Sequence, residues 1–255
     1  AVDYGRLFED ALNKKLAAEK KLKGKGLKLR LVFIPVARGE LLSALAAGKG
    51  DIAAANLTIT PERRKLVDFS AAGMSNVSEV VVTGPASPQV GSVEDLSGKE
   101  VFVRKTSSYY ESLVALNKKF AAEKKPPVRL KESPEELEDE DLLEMLNAGL
   151  VAIVVVDNHI ASFWKQIFPK LVVHDGIAVH TGGEIAWAIR KGTSQLKVML
   201  DDFIAHHKGG TSAGNQVLTR YLKSVKYVTN AASEEERKKF LALVQYFQKY
   251  GDRYN

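Results

Sequence analysis

The sequence predicts an α/β protein with two lobes, and three observations lead to this prediction. Helix and strand patterns alternate along most of the 255 residues, an order that is typical of parallel strands covered by helices. The strand patterns form two groups, one before about residue 82 and one between about residues 91 and 179. Two further strand patterns, residues 78–85 and 182–192, connect these groups and predict a two-stranded hinge beside a ligand cleft.

The first group begins with a helix and continues with two strands. Apolar residues recur at helical spacing over residues 4–21, and glycines at positions 24 and 26 end this pattern. Residues 27–36 alternate and then become continuously apolar, which predicts a strand that enters a buried sheet. A short helix over residues 39–50 follows, and residues 51–56 predict a second buried strand.

The second group repeats the alternation of strand and helix. Residues 99–104 predict a strand, and the polar loop after it leads into a helix of about 15 residues. Ser133, Pro134 and Glu136 have the arrangement of a capping box with proline at the first helical position, which predicts a helix start there. Residues 150–157 form the most apolar strand pattern in the chain, and residues after 193 are predicted to be helical.

Composition limits the kinds of site that the chain can carry. It contains 0 cysteines, which excludes disulfides, thiolate metal ligands and thiol nucleophiles. The formal net charge of +6 would suit an anionic partner, but the lysines follow helical faces without clustered aromatics, so we interpret them as a solvated surface. His159, His206 and His207 lack neighbours at metal-ligand spacing, so neither a metal nor a cofactor is expected.

A candidate anion site follows the strand predicted over residues 51–56. Thr60 suits a helix N-cap and Pro61 the first helical position, and the backbone donors there favour an anion. Arg63 can add a charge-assisted pair, whereas Arg64 points about 100° away around the helix. The residues alone leave open whether Arg63 binds a ligand or is solvated in the first turn.

Four segments together resemble the family 3 extracellular solute-binding proteins, which capture polar amino acids. These segments are residues 50–70, 92–113, 148–163 and 182–196. The resemblance implies a two-lobed periplasmic-binding-protein type 2 fold, in which each lobe is a mostly parallel sheet flanked by helices, with extra C-terminal helices. It places lobe 1 at residues 1–82 and 183–255 with its first strand missing, lobe 2 at 86–179, and hinge segments at 78–86 and 180–190.

The resemblance also implies a ligand site. Thr58 and Arg63 match the positions that hold the α-carboxylate of the ligand, and Asp157 matches the position that binds its α-amino group. The full set of predicted ligand-binding residues is Asn56, Thr58, Arg63, Arg104, Ser108 and Asp157. Structural alternatives stay open: Asn56 could form a turn, Ser107 or Ser108 could cap a helix, and Asp157 could be the N-cap of the next helix.

The function implied is a periplasmic solute-binding or sensor module that captures an amino acid or a peptidoglycan-derived peptide. In the members that the chain resembles most, the module precedes and would regulate a murein-cleaving domain. That domain would lie downstream of Asn255, so we expect no enzymatic activity of the chain itself. We also expect a monomer that binds no nucleic acid, within a parent protein associated with the outer membrane or cell wall.

Two alternatives of other classes stay open. The first is a cyclohexadienyl dehydratase-like enzyme on the same scaffold, which would need a general acid and for which Glu184 and Asp157 are the candidates. The second is a module that binds no ligand and acts as a spacer or docking surface. Turnover of prephenate or arogenate would identify the enzyme, and an open, empty cleft would favour the spacer.

Overall fold

The computed structural model describes residues 2–21, 26–212 and 214–215. The chain divides into two units, of which the first comprises Ala1–Ser75 with Gly183–Asn215 and the second includes Asn76–Gly182. The boundaries fall within two long strands, β3 (Met74–Thr83) and β7 (Val172–Ile189). The sequence also predicts a capping box at Ser233 and Glu236, and these two residues lie outside the described ranges. Each helix in the described ranges is too short or too polar to cross a bilayer.

The first unit places helices around a small antiparallel set of strands. Strands β1 (Ile52–Thr58) and β2 (Asp68–Phe69) each pair with the end of β7, and both pairings are antiparallel. The helices are α1 (Val2–Ala18), α2 (Leu41–Ala46), α3 (Pro61–Leu66) and α7 (Ser194–His207). Helices α1 and α7 meet through Phe8 and Phe203, whose ring centroids lie 5.2 Å apart.

The strand predicted over residues 27–36 is wrong, because these residues form no strand in the structure. Their backbone bonds instead to side chains of α1: Leu29 N donates to Asn13 Oδ1 at 2.8 Å, and Leu31 N donates to Glu9 Oε2 at 2.7 Å. Val32 remains 81% exposed. A strand requires the backbone of a neighbouring strand, and among the described residues α1 supplies side-chain partners in its place.

The second unit contains a mixed sheet. Strand β4 (Glu100–Arg104) pairs in parallel with β5 (Arg129–Ser133) and with β6 (Ile153–Asp157), while β6 pairs antiparallel with β3. The sheet is therefore not as uniformly parallel as the sequence predicted. The helices are α4 (Ser108–Ala122), α5 (Asp139–Ala148) and α6 (Asn158–Lys165). The 15 residues of α4 match the predicted length.

Helix α5 begins later than the predicted capping box at Ser133, Pro134 and Glu136, so that prediction is wrong. Ser133 is the last residue of β5, where it pairs with Arg104 of β4, and residues 134–138 after it are not helical. The observed box uses Glu138 as the N-cap, whose backbone N–H donates to Asp141 Oδ2 at 2.8 Å. This later start places Glu138 and Asp139 beside Arg104.

Candidate ligand-binding site

Arg63 lies buried at the end of strand β1. Its Nη1 donates to the carbonyl oxygen of Thr58, the last residue of the strand, at 3.0 Å. Thr60 is the N-cap of α3, and its Oγ1 accepts from Arg63 N at 3.2 Å. Arg63 is 8% exposed and Thr58 is 5% exposed. The guanidinium is therefore held at the strand end rather than solvated in the first turn of the helix.

Arg64 follows a different course, although it is the next residue. It is exposed, and its guanidinium carbon lies 5.9 Å from the ring centroid of Phe69. That position is a surface cation–π contact. The two arginines thus separate as the helical geometry predicted, with Arg63 inward and Arg64 outward.

Asn56 lies at an irregularity of β1. The pairing register with β7 shifts between Ala53 and Leu57, and Asn56 has a φ of 49° with an exposed side chain. Asparagine tolerates this left-handed backbone better than most residues. The structure thus gives Asn56 a backbone role in the irregular strand, and a contact between Asn56 and a ligand stays a prediction.

Arg104 is buried and forms two ion pairs. Its Nη1 donates to Glu138 Oε2 at 2.9 Å, and its Nη2 donates to Asp139 Oδ1 at 2.8 Å. Arg104 is 2% exposed, as is expected of a buried charge that has partners of opposite sign. The guanidinium thus holds two carboxylates at the start of α5.

The serines that follow β4 differ in role. Ser107 is the N-cap of α4: its Oγ accepts from Tyr110 N at 3.1 Å and donates to the carbonyl oxygen of Arg104 at 2.7 Å. Ser108 is the first residue of the helix and is buried. The capping role that the sequence left open therefore falls to Ser107.

Asp157 ends strand β6 and is 1% exposed. It occupies the N-cap position of α6, but its side chain makes no capping hydrogen bond. Its backbone N–H donates to the hydroxyl oxygen of Tyr109 at 3.3 Å, and that hydroxyl donates to Asp139 Oδ2 at 3.2 Å. A polar chain therefore links Asp157 through Tyr109 and Asp139 to Arg104.

Sequence reasoning did not identify three buried residues that lie near Asp157: Tyr109, Asp139 and Glu79. Burial, followed by the charges of Asp139, Asp157 and Glu79, raises the pKa of Tyr109 well above its ordinary value. Glu79 lies on β3 directly opposite Asp157 and is 1% exposed. A carboxylate at the start of the apolar run of residues 80–82 was the signal that could have identified it.

The histidines and Glu184 have other surroundings. Burial lowers the pKa of His159, on α6, to about 4. His206 and His207 each bond through Nδ1 to a carbonyl oxygen of their own helix. Within the described ranges, no group of three or more His, Cys, Asp or Glu side chains could hold a metal ion. Glu184, on which the enzymatic alternative depends, is exposed.

Each unit thus brings together its own predicted residues. The first unit joins Thr58 to Arg63, and the second connects Arg104 to Asp157 through Asp139 and Tyr109. The first unit thus contains a buried arginine at the end of β1, and the second a buried carboxylate at the end of β6.

Residues 16–214 match the family model of the bacterial extracellular solute-binding proteins, family 3. The chain belongs to this family. Among curated proteins it is similar to membrane-bound lytic murein transglycosylase F of Maricaulis maris (strain MCS10), with 33% identity over 150 residues, which are 58% of this chain. The matched segment spans 31% of that relative's length, so the similarity covers less than a third of the relative.

Solved structures confirm the predicted fold class of type 2 periplasmic binding proteins. An ancestral arginine-binding protein bound to arginine has a TM-score of 0.62 and 25% identity, with 84% of this chain and 87% of that chain covered. The substrate binding protein of an amino acid ABC transporter has a TM-score of 0.63 at 24% identity, with 87% and 88% covered. The second of these likenesses concerns the fold alone.

Proposed function

We propose that this chain binds an amino acid or a peptidoglycan-derived peptide. The burial of Arg63 at the end of β1 is the observation that carries this proposal. Keeping a guanidinium out of water is costly, and its fork of donors suits a carboxylate. Arg63 and Thr58 would bind the α-carboxylate, and Asp157 would bind the α-ammonium group.

The remaining predicted residues take supporting roles in this proposal. Arg104 would position Asp139 and, through it, Tyr109 beside the backbone of Asp157. The backbone of Ser108 at the start of α4 and the carbonyl of Asn56 would contact the ligand. Residues 78–86 and 180–190 would serve as hinge segments.

The relatives suggest a biological setting. The name of the Maricaulis maris protein describes a membrane-bound lytic murein transglycosylase, and a neighbouring structure is described as binding arginine. We therefore place the chain in the periplasm as a monomeric sensor module. Its ligand-bound state would regulate a murein-cleaving domain of a parent protein attached to the outer membrane.

Calorimetric titration of the chain with the twenty standard L-amino acids and a muropeptide tetrapeptide tests the proposal. We expect at least one saturable ligand, and Arg63→Ala should weaken it by about 100-fold, the equivalent of about 2.7 kcal/mol. Arg64→Ala is the matched control and should change the affinity less than threefold. Absence of binding across the panel, or equal losses in both variants, would contradict the proposal.

A further inference from the structure

Glu79, on strand β3, carries a carboxylate that takes no part in the proposed ligand contacts. It is 1% exposed, and neither of its Oε atoms accepts a hydrogen bond from any residue that the structure describes. Burying a carboxyl group without such bonds costs several kcal/mol. Native proteins seldom retain such a group, and where they do it commonly belongs to a functional site.

The position of Glu79 brings it next to Asp157. Strands β3 and β6 pair antiparallel, and Glu79 is the direct cross-strand partner of Asp157. Directly opposed residues place their side chains on the same face of a sheet, with Cβ atoms about 4.5–5.5 Å apart. Two acidic side chains in this relation destabilise the pair of strands, so the unliganded unit carries a local cost.

Arg104, the buried arginine of the second unit, bonds to carboxylates other than that of Glu79. Both Nη atoms of Arg104 bond to carboxylates at the start of α5, those of Glu138 and Asp139. Glu79, Asp139 and Asp157 are each at most 4% exposed. Glu79 therefore adds a buried carboxylate that receives no hydrogen bond from the described residues, and the complement of such a group is a cation.

We propose that Glu79 and Asp157 form a two-carboxylate subsite that selects ligands with a second cationic group, the ammonium or guanidinium side chain of a basic amino acid. The inference rests on the proposed function and narrows its ligand class. One α-ammonium group complements one carboxylate. The second carboxylate then raises the affinity for a ligand with a second cation and lowers the affinity for a ligand with a neutral side chain at that place.

Three ligands that differ at the side-chain end provide the test: L-lysine, Nε-acetyl-L-lysine and L-norleucine. We expect calorimetry at fixed pH and salt to show that the wild-type chain binds lysine at least tenfold more tightly than either neutral analogue. Glu79→Gln, which keeps the size and removes the charge, should reduce this preference at least tenfold. Its affinity for the acetylated ligand should change less than threefold. Glu100→Gln, at an exposed position of β4, is the control and should retain the preference.

The outcomes separate this inference from the function on which it rests. If the chain binds amino acids but prefers the neutral analogues, or if Glu79→Gln keeps the wild-type preference, the subsite is refuted and the proposed function stands. If the chain binds only the tetrapeptide of the larger panel, the subsite alone is refuted, and if it binds neither an amino acid nor the tetrapeptide, both are refuted. The comparison of lysine with its acetylated form in the wild-type protein decides the question even if Glu79→Gln does not fold.

Discussion

At the level of single residues, the arginines of the two units differ in the groups that surround their guanidinium groups. Arg63 and Arg64 are neighbours on one short helix, yet Arg63 bonds to a strand-end carbonyl, whereas the exposed Arg64 lies over the buried ring of Phe69. Helical geometry accounts for this difference, and the sequence predicted it. The surroundings of Arg104 could not be predicted in this way, because its carboxylate partners lie 34 and 35 residues further along the chain.

Asp139 and Glu138 offer a matched comparison of buried and exposed ion pairs. Asp139→Asn removes a partner that Arg104 shares with the hydroxyl of Tyr109, and we expect a loss of about 3 kcal/mol in the free energy of unfolding. Glu138→Gln acts on a side chain that is 38% exposed and should cost about 1 kcal/mol or less. Urea denaturation measures both values. Equal losses would show that the Arg104–Asp139 pair contributes no more to the free energy of unfolding than the Arg104–Glu138 pair.

At the level of elements, the two units use the same asparagine clamp to join a helix to the segment that follows it. Asn13 of α1 both donates to and accepts from the backbone of Leu29, at 2.9 and 2.8 Å. Asn117 of α4 does the same with Val128, at 2.9 and 2.7 Å. In each case one asparagine side chain bonds to both the N–H and the C=O of a residue that lies outside the strands.

Removing the clamp in the second unit should destabilise it. Asn117→Ala leaves the N–H and C=O of Val128, a residue that is 2% exposed, without these bonds, and we expect a cost of about 2–3 kcal/mol. Asn147→Ala is the control, because Asn147 accepts a single bond from the exposed backbone of Lys170. It should cost less than about 1 kcal/mol in the same thermal or urea unfolding experiment. A smaller loss for Asn117→Ala than for the control would show that the two hydrogen bonds between Asn117 and Val128 do not stabilise the unit as predicted.

Helix α6 carries a predicted pH response through His159. Burial lowers the pKa of this histidine to about 4 in the folded chain, whereas an unfolded histidine titrates near its ordinary value of about 6.5. Between these values the unfolded chain binds the proton and the folded chain does not, so stability falls as pH falls. His159→Gln should remove roughly 2 kcal/mol of the loss between pH 6.5 and pH 4. The unfolding free energy should therefore change less steeply with pH in His159→Gln than in the wild-type chain, and equal slopes in the two proteins would contradict this prediction.

The sequence predicted those strands that show an apolar run in their own residues. Strands β4 and β6 follow apolar patterns that the sequence displays directly, and both form as predicted. The predictions failed where pairing partners decide the outcome. Residues 27–36 have a strand pattern but bond to side chains of α1, and Ser133 has a capping pattern but joins the ladder with β4. Neither partner can be recognised from a local pattern.

At the level of the whole molecule, the sequence identified the family through separate motifs, and the family model confirms it over residues 16–214. The site was predictable in part. Arg63 and Asp157 follow from motif positions, whereas Glu79 enters only through the register that sets it opposite Asp157. A register between β3 and β6 joins residues that lie 78 positions apart, and no motif in either strand encodes it.

We propose that Arg63 binds the α-carboxylate of the ligand and that Asp157 binds its α-ammonium group. The measurement that tests it most directly is a calorimetric cycle with the L-amino acid that binds tightest, its carboxamide and its Nα-acetyl derivative. In the wild-type chain, each modification should cost at least tenfold in affinity. Arg63→Ala should remove the penalty for the carboxamide alone, and Asp157→Asn the penalty for the acetyl group alone. Both penalties unchanged in both variants would contradict the claim.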